Sequence, residues 1–308
     1  MSPEEFLRRI AAIRVWRQGD QRAPHKPLLL LLALGRLSHG KPRLAGYFHE
    51  IQKPLSRLLE RFGPPGRKAV HPEHPFWRLR NDGLWEVPGG DVLPTTSSGD
   101  VLSSALVENG VHGGFPDPLQ RQLRSDPQLV EAAAAHLLDT NFPESLHLAI
   151  REEVGLPSAM VLEAFPASGS ASPRTRDPSF RPAVLTAYER RCAICDFDVR
   201  IEDDLLGLDA AHIKWHAAGG PDHVHNGLAL CTLHHRALDR GAIGLSPSGG
   251  RFTVLVSQAL SGTSEAYRQL VDASGRPVRK PQERSQHPDP AFVRWHRREV
   301  FRGEPRSS

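Results

Sequence analysis

The sequence predicts an α+β protein of two domains, an N-terminal mixed helix and hairpin domain followed by a C-terminal domain stapled by a metal. Three observations predict it: a length of 308 residues, a polar, proline-punctuated stretch past the midpoint, and the gathering of all three cysteines beyond that stretch. At this length two ordinary domains with real cores are available. Residues 166–178, PASGSASPRTRDP, are small, polar and broken by proline, the composition of a linker. They set one domain at 1–165 and a second at 179–308.

The N-terminal elements follow from periodicity and caps. Ser2-Pro3-Glu4-Glu5 reads as a helix start, with Ser2 as cap and Glu5 closing a capping box. Phe6, Leu7, Ile10 and Ile13 then recur at helical spacing, and the helix is expected to run to about Gly19. Leu28 to Leu34, interrupted only by Ala33, is apolar all round, which marks a core helix too short to span a bilayer. That helix carries His25 and Lys26 at its N-terminus, where the backbone amides favour anions such as phosphate. Tyr47 to Phe62 reads as another helix, with Phe48, Ile51, Leu55, Leu58, Leu59 and Phe62 on one face, stopped by Pro64-Pro65-Gly66. Pro75–Leu79 and Leu84–Val87, around Asn81-Asp82-Gly83, read as a β-hairpin entered through the stiff segment His71–Pro75. Residues 117–156 are helical, broken at Asn141-Phe142-Pro143.

In the C-terminal half, Ser179 caps a helix that feeds Cys192. Cys192-Ala-Ile-Cys195 has the spacing of a knuckle that aims two thiolates at one ion, and Cys231-Thr-Leu-His234 has the spacing that a helix brings onto one face. Cys192, Cys195, Cys231 and His234 together make a closed structural Zn2+ site. Three buried cysteines beside a solvated histidine are the plain alternative, but they leave the two matched spacings as coincidence. Further on, Arg251–Ser257 alternates as a strand, and Ala291–Phe301 forms a basic helix whose Arg294, Arg297 and Arg298 either grip the phosphates of a polyanion or line a solvated face.

Net charge is +4 and the sequence pI about 9.2, which permits a polyanionic partner without requiring one. Its distribution is polarised: residues 1–80 carry a balance of +10 and residues 81–165 a balance of −10, as expected of a domain with one face toward a polyanion. No stretch approaches the ~20 apolar residues of a membrane span, and the N-terminus has no apolar signal core. The expectation is a cytoplasmic protein with no membrane partner, whose three cysteines are taken by metal rather than by disulfides.

Within the metal frame lies DAAHIKWHAAGGPDHVHNGLALCTLHHRALDRG, Asp209 to Gly241. Its His212, Asn226 and His235, with Gly219-Gly220 and Asn226-Gly227-Leu228 in their places, resemble the HNH nuclease motif over about fifty residues. The resemblance implies a ββα-metal fold and metal-dependent DNA hydrolysis. His212 would be the general base, since an imidazole titrates near working pH. Neighbouring helical residues point about 100° apart, so His234 and His235 should serve two metals, His234 the zinc and His235 a catalytic Mg2+ or Mn2+. Asp209 is the nearest carboxylate able to share that cation, because Ala211 stands where many family members keep their acidic ligand. Asn226 would pin the loop bearing the base. His216, His223 and His225 read as solvated loop residues or phosphate contacts rather than metal ligands.

A second resemblance covers most of residues 1–160. APHKPLLLLLAL at Ala23–Leu34, HPFWRLRNDGLWEV at His74–Val87 and NGVHGGFP at Asn109–Pro116 are similar to the sulfur-binding domain of McrA-like type IV restriction endonucleases. That resemblance implies recognition of double-stranded DNA bearing backbone phosphorothioate, through a shallow apolar pocket for one sulfur atom. Pro75, flanked by His74 and the stem of Arg78, is the expected wall; family members often carry tyrosine at His74 and a small residue near Arg78. His25, Lys26 and the loop holding Asn109 and His112 would contact phosphates and groove edges, and a homodimer is compatible with this arrangement. Two other readings remain open at this point: an HNH endonuclease dependent on methylated bases, which would need an aromatic cage, and a zinc-stapled DNA-binding module without turnover.

Overall fold

Ser2 opens the first helix, α1 (Pro3–Ala11), by accepting a hydrogen bond from the Glu5 amide at 3.1 Å. The computed structural model describes residues 1–13, 19–66, 69–157 and 177–306, and it divides the chain into two units, Met1–Pro173 and Arg174–Ser308. The stretch read as a linker falls almost entirely outside the described residues. Phe6 and Ile10 bury one face of α1, but the helix closes at Ala12 instead of near Gly19. Glu5 does not complete a capping box. Its carboxylate takes Arg8 and Arg9, cations one turn along that outbid a backbone amide.

The N-terminal unit is organised around α2 (His25–Ser38), where Leu28 to Leu34 are each at most 7% exposed. A helix apolar on every side needs cover on every side, and five other helices supply it. β1 (Ala45–Gly46) leads into a π-helical turn, Tyr47–Gln52, and then α3 (Lys53–Phe62). The wider turn shifts the register of the predicted face. Phe48 is thrown outward at 51% exposure, while Ile51, Leu55, Leu58, Leu59 and Phe62 stay buried.

The expected hairpin over 75–87 is absent. The chain instead forms α4 (Glu73–Arg78) and a 3-10 turn, Leu79–Asp82. Phe76 and Leu79 stand three residues apart and both are fully buried, which a helical turn achieves and an alternating strand does not. Pro75 lies in the first turn, where its missing amide costs nothing. Asn81-Asp82-Gly83 does supply a left-handed residue, Gly83 at φ 67°, but it ends a helix rather than joining two strands. Of the second strand only a bridge remains, Glu86 to Gly114.

α5 (Ser103–Glu108) precedes β2 (His112–Gly113), which pairs antiparallel with β1 in the register Ala45 to Gly113 and Gly46 to His112. α6 (Asp117–Ser125), α7 (Pro127–Asn141) and α8 (Glu144–Val154) complete the unit as the periodicity predicts. Gly35 decides how closely α8 approaches α2, because a Cβ there would lie 1.8 Å from the Val154 carbonyl oxygen.

The C-terminal unit begins with α9 (Phe180–Ala187) and a small hairpin, β3 (Arg200–Ile201) and β4 (Asp204–Leu205). β5 (Leu208–His212) pairs antiparallel with β6 (Gly227–Cys231), and α10 (Thr232–Asp239) follows β6 without a loop and packs back on both strands. This is the ββα unit. Every residue of β6 is buried. A second hairpin, β7 (Ile243–Ser248) with β8 (Arg251–Val256), then α11 (Glu265–Val271) and α12 (Pro290–Glu299) close the unit. No described helix is long and apolar enough to cross a membrane.

Candidate functional site

In the C-terminal unit the cysteines and one histidine converge as their spacing requires. Cys231 stands at the N-cap of α10 and His234 in its first turn. Their Sγ and Nδ1 atoms are 3.1 Å apart, Cys192 Sγ lies 3.7 Å from the same nitrogen, and Cys195 Sγ lies 3.9 Å from Cys231 Sγ. All four donor atoms fall within 4.8 Å of one another. Bonds of ~2.3 Å to sulfur and ~2.0 Å to nitrogen in a tetrahedron leave donor atoms about 3.5–3.8 Å apart, so the residues fit such an ion. The knuckle is built by the backbone: Asp196 takes φ 59° and donates its amide to the Cys192 carbonyl. Burial lowers the His234 pKa, but hydrogen bonds and charge from Cys192 and Cys231 outweigh it and lift the imidazole to about 9. His235, one residue on, turns elsewhere, its Nε2 3.4 Å from Asp239 Oδ2.

His212 ends β5 opposite Gly227. Its ring stacks on Phe180 at 4.1 Å between centroids, and Nε2 lies 2.7 Å from Asp222 Oδ1. Asn226 is fully buried and hydrogen-bonded to the backbone of two segments. Its Oδ1 accepts from the Lys214 amide at 2.8 Å, and its Nδ2 donates to the Lys214 and Pro221 carbonyls at 2.9 Å each. The Asn226 carbonyl also accepts from the Ile213 amide. The strand end that presents His212 is thus tied to the Gly219–Asp222 loop. Gly220 must be glycine there, because a Cβ would sit 1.9 Å from the Lys214 oxygen.

Two expectations change in this unit. Asp209 is three residues from His212 on one strand, an odd step, so their side chains leave opposite faces. Its carboxylate accepts from Arg181 Nε at 2.8 Å. The carboxylate at His212 is Asp222, which sequence reasoning passed over because it lies ten residues downstream, across a loop. The Gly-Gly-Pro-Asp turn was its only signal. His216 is not a solvated loop residue either: its side chain is 16% exposed and its Nε2 is 3.6 Å from Asp222 Oδ2. Burial pushes the Asp222 carboxyl up, yet hydrogen bonds from the Asp177 amide and His212, with the charge of His216 and His212, hold it below the ordinary carboxylate range.

In the N-terminal unit, α4 sets His74, Pro75 and Arg78 at positions i, i+1 and i+4, so Arg78 lies one turn on from both His74 and Pro75 and neighbours each along the helix surface. The predicted hairpin would have split them between faces. Pro75 is buried and His74 half-buried. His74 also stacks on His71 at 4.9 Å, and burial lowers its pKa, favouring the neutral ring. Asp100 clamps the Arg78 guanidinium in two contacts, Nε to Oδ1 at 2.6 Å and Nη2 to Oδ2 at 2.5 Å, which leaves the aliphatic stem as the fixed feature beside Pro75. Gly113 admits Phe76 and Trp85, each of which would be 2.7 Å from a Cβ there. The turn carrying Asn109 and His112, both exposed, is thereby seated next to α4.

Lys26 departs from its expected role. Its Nζ is 2.5 Å from Asp82 Oδ2, with the two side chains 13% and 7% exposed. It tethers the start of α2 to the turn after α4. His25, the first residue of α2, remains at that terminus, half-buried.

Residues 3–159, just over half of the chain, match the family model described as ScoMcrA-like, DNA sulfur-binding domain. The chain belongs to this family. Residues 192–246 match the HNH endonuclease model, so one chain carries a sulfur-binding domain and an HNH endonuclease domain. Among solved structures it is similar to the sulfur binding domain of ScoMcrA complexed with phosphorothioated DNA, at 29% identity and TM-score 0.44, covering 49% of this chain and 95% of that one. It is also similar to the sulfur binding domain of SprMcrA complexed with phosphorothioated DNA, at 25% identity and TM-score 0.42, covering 51% of this chain and 95% of that one. The type IV phosphorothioation-dependent restriction endonuclease ScoMcrA itself aligns over 96% of this chain and 68% of its own, at 22% identity and TM-score 0.44. No curated protein sequence matches the chain.

Proposed function

We propose that this chain is a modification-dependent DNA endonuclease: residues 1–165 recognise phosphorothioated double-stranded DNA, residues 166–178 tether the two halves, and residues 179–308 hydrolyse phosphodiesters. The observation that carries this reading is the helical side of α4 where His74, Pro75 and the Arg78 stem stand together, in a domain of a sulfur-binding family. Replacing a non-bridging oxygen by sulfur gives a larger, more polarisable atom that accepts hydrogen bonds poorly. A prolyl ring and a methylene stem gain dispersion contact with it, whereas a hydrated oxygen pressed there loses water without compensation. His25, Asn109 and His112 are the residues we assign to the neighbouring phosphates and groove edges. Lys26, held by Asp82, we assign to shaping that face rather than to touching DNA.

In the nuclease half, Cys192, Cys195, Cys231 and His234 would hold Zn2+, which supplies folding free energy to a small domain. A divalent cation, Mg2+ or Mn2+, would stabilise charge on the scissile phosphate and the leaving oxygen. His235 is the residue assigned to hold it. Asp209 is assigned no part, since it faces away from His212 and is taken by Arg181. His212 takes the proton from the attacking water, and Asn226 keeps the loop behind it in place. Cutting both strands takes two such centres, which a homodimer would supply, and the reaction belongs in the cytoplasm, where foreign DNA arrives.

Two readings compete. A reader of methylated bases needs an aromatic cage for a flipped base, but Phe76, Trp77 and Trp85 are spent in the core. A module without turnover has no use for a stacked, hydrogen-bonded His212. The test is paired: duplexes of identical sequence with and without a phosphorothioate, measured for binding and for cleavage with Mg2+ or Mn2+. The sulfur-bearing duplex should bind more tightly and be cut, and His212→Ala should bind equally while cutting at least ~10² more slowly. Equal affinity for both duplexes would overturn the sulfur reading; undiminished cutting by His212→Ala would overturn the assigned base.

A further inference from the structure

The stretch His71-Pro72-Glu73-His74, which the sequence reads as a stiff approach to a strand, folds into a tight turn at the start of α4. The His74 amide donates to the His71 carbonyl at 3.2 Å, and Pro72, at φ −63°, holds the second position of the turn, where the fixed proline φ is suited. The turn stacks the two imidazoles at 4.9 Å between centroids and 19° from parallel. It also brings in the carboxylate between them in sequence, with His71 Nδ1 2.8 Å from Glu73 Oε1. One donor atom from each of the three lies within 4.8 Å of the others, and among the described residues only the Cys3His cluster gathers donors in the same way. The Glu73 side chain is 11% exposed and that of His71 53%, so one donor is fixed inside and another stands at the surface.

We propose that His71, Glu73 and His74 bind a zinc-class divalent ion on the N-terminal unit, in addition to the ion of the Cys3His cluster. Two imidazoles and a carboxylate are a donor set for zinc and its late transition-metal neighbours, whereas Mg2+ and Ca2+ prefer oxygen alone. Bonds of ~2.0–2.2 Å in a tetrahedron set such donors ~3.4 Å apart, so the His71–Glu73 contact opens by about half an ångström to seat the ion, and the exposed imidazole is the side that gives. Three protein donors leave a coordination position for water or an anion. The local charge admits a cation: Glu73 brings a negative charge, and the Arg78 guanidinium, one turn on from His74, is neutralised by Asp100 through two contacts. On the reading proposed above, this part of the unit meets the DNA backbone. A dication held by His74, the neighbour of Pro75, would there attract phosphate and phosphorothioate alike.

The full chain is dialysed against low-micromolar free zinc and its metal counted. Wild type should retain one equivalent more than His71→Ala and one more than Glu73→Gln, and in a 15N-histidine spectrum the His71 and His74 signals should shift together as that equivalent is added. With Co2+ in place of zinc, the equivalent lost from His71→Ala should carry only weak d–d bands, while the intense thiolate charge-transfer bands of the Cys3His site stay. Those bands and the melting transitions show that each variant is folded, and should Glu73→Gln fail that check, His71→Ala, altered at an exposed side chain, still decides. Equal zinc counts in wild type and His71→Ala overturn the site, as does uptake only at millimolar zinc, which any exposed histidine pair would show. Adding the equivalent at low salt should tighten wild-type binding to ordinary and phosphorothioated duplexes alike by severalfold, and should leave His71→Ala unmoved; an affinity indifferent to the ion overturns its part in recognition. That last arm rests on the N-terminal unit binding DNA. A wild type that binds neither duplex, with or without zinc, overturns the DNA reading instead, while the metal count still tests the site.

Discussion

Asn226→Ala isolates what holds the end of the His212 strand in place. The wild-type side chain makes three hydrogen bonds of 2.8–2.9 Å to the Lys214 amide, the Lys214 carbonyl and the Pro221 carbonyl, and it is fully buried. At a net ~1 kcal/mol per bond, truncation should cost the C-terminal unit about 3 kcal/mol before any penalty for the small cavity. For a unit of this size that is a drop on the order of 10 °C in melting temperature. Asn226→Asp sharpens the reasoning, because it keeps the acceptor for the Lys214 amide but turns the donor into an oxygen facing two carbonyls. It should destabilise at least as much as alanine. The assay is calorimetry of the full chain, zinc-loaded, beside a cleavage rate, with the transition of the N-terminal unit as internal control. Both variants should lose cleavage along with the C-terminal melting temperature. Loss of cleavage with an unmoved C-terminal transition would refute the positioning account and make Asn226 a participant in the chemistry.

Cys195→Ser should release one equivalent of zinc and lower the stability of the C-terminal unit alone; elemental analysis showing full zinc occupancy would contradict the four-ligand site. Pro75→Glu should weaken phosphorothioated DNA selectively, by loss of the apolar wall and added repulsion, so the ratio of affinities for sulfur-bearing and ordinary duplexes at fixed salt should fall toward one. An unchanged ratio in a folded variant would remove Pro75 from the pocket. Lys26→Ala should act through stability: it removes one partner of Asp82, a carboxylate 7% exposed, and should lower the melting temperature of the N-terminal unit. The salt dependence of DNA binding should keep its slope, whereas a lost phosphate contact would lower that slope by about one unit.

The sequence by itself determined the elements whose causes are local. An all-round apolar run located α2, helical spacing of apolar residues located α3, α7 and α8, and the paired two-residue spacings located all four members of the Cys3His cluster, because a knuckle and one helical turn are short-range geometries that the intervening residues fix. His212, Asn226 and His235 could be placed on one ββα unit for a related reason: such a compact unit joins its elements by short, regular separations along the chain. What tertiary structure decided is which partner each polar group finds. The segment 75–87 carried both turn chemistry and alternating apolar residues, and burial of Phe76 with Leu79 against the core selected helix over hairpin. That choice set His74 and Arg78 together around Pro75. Asp209 and Asp222 are equally acidic on paper, and only strand alternation, which turns one away, and the folding back of the Gly219–Asp222 loop, which brings the other to 2.7 Å from His212, separate them. Lys26 likewise reads as a free cation at a helix N-terminus until the turn after α4 delivers Asp82 to it. Long-range pairing of charges depends on loop paths that no local propensity encodes, and there the three-dimensional arrangement carries the information.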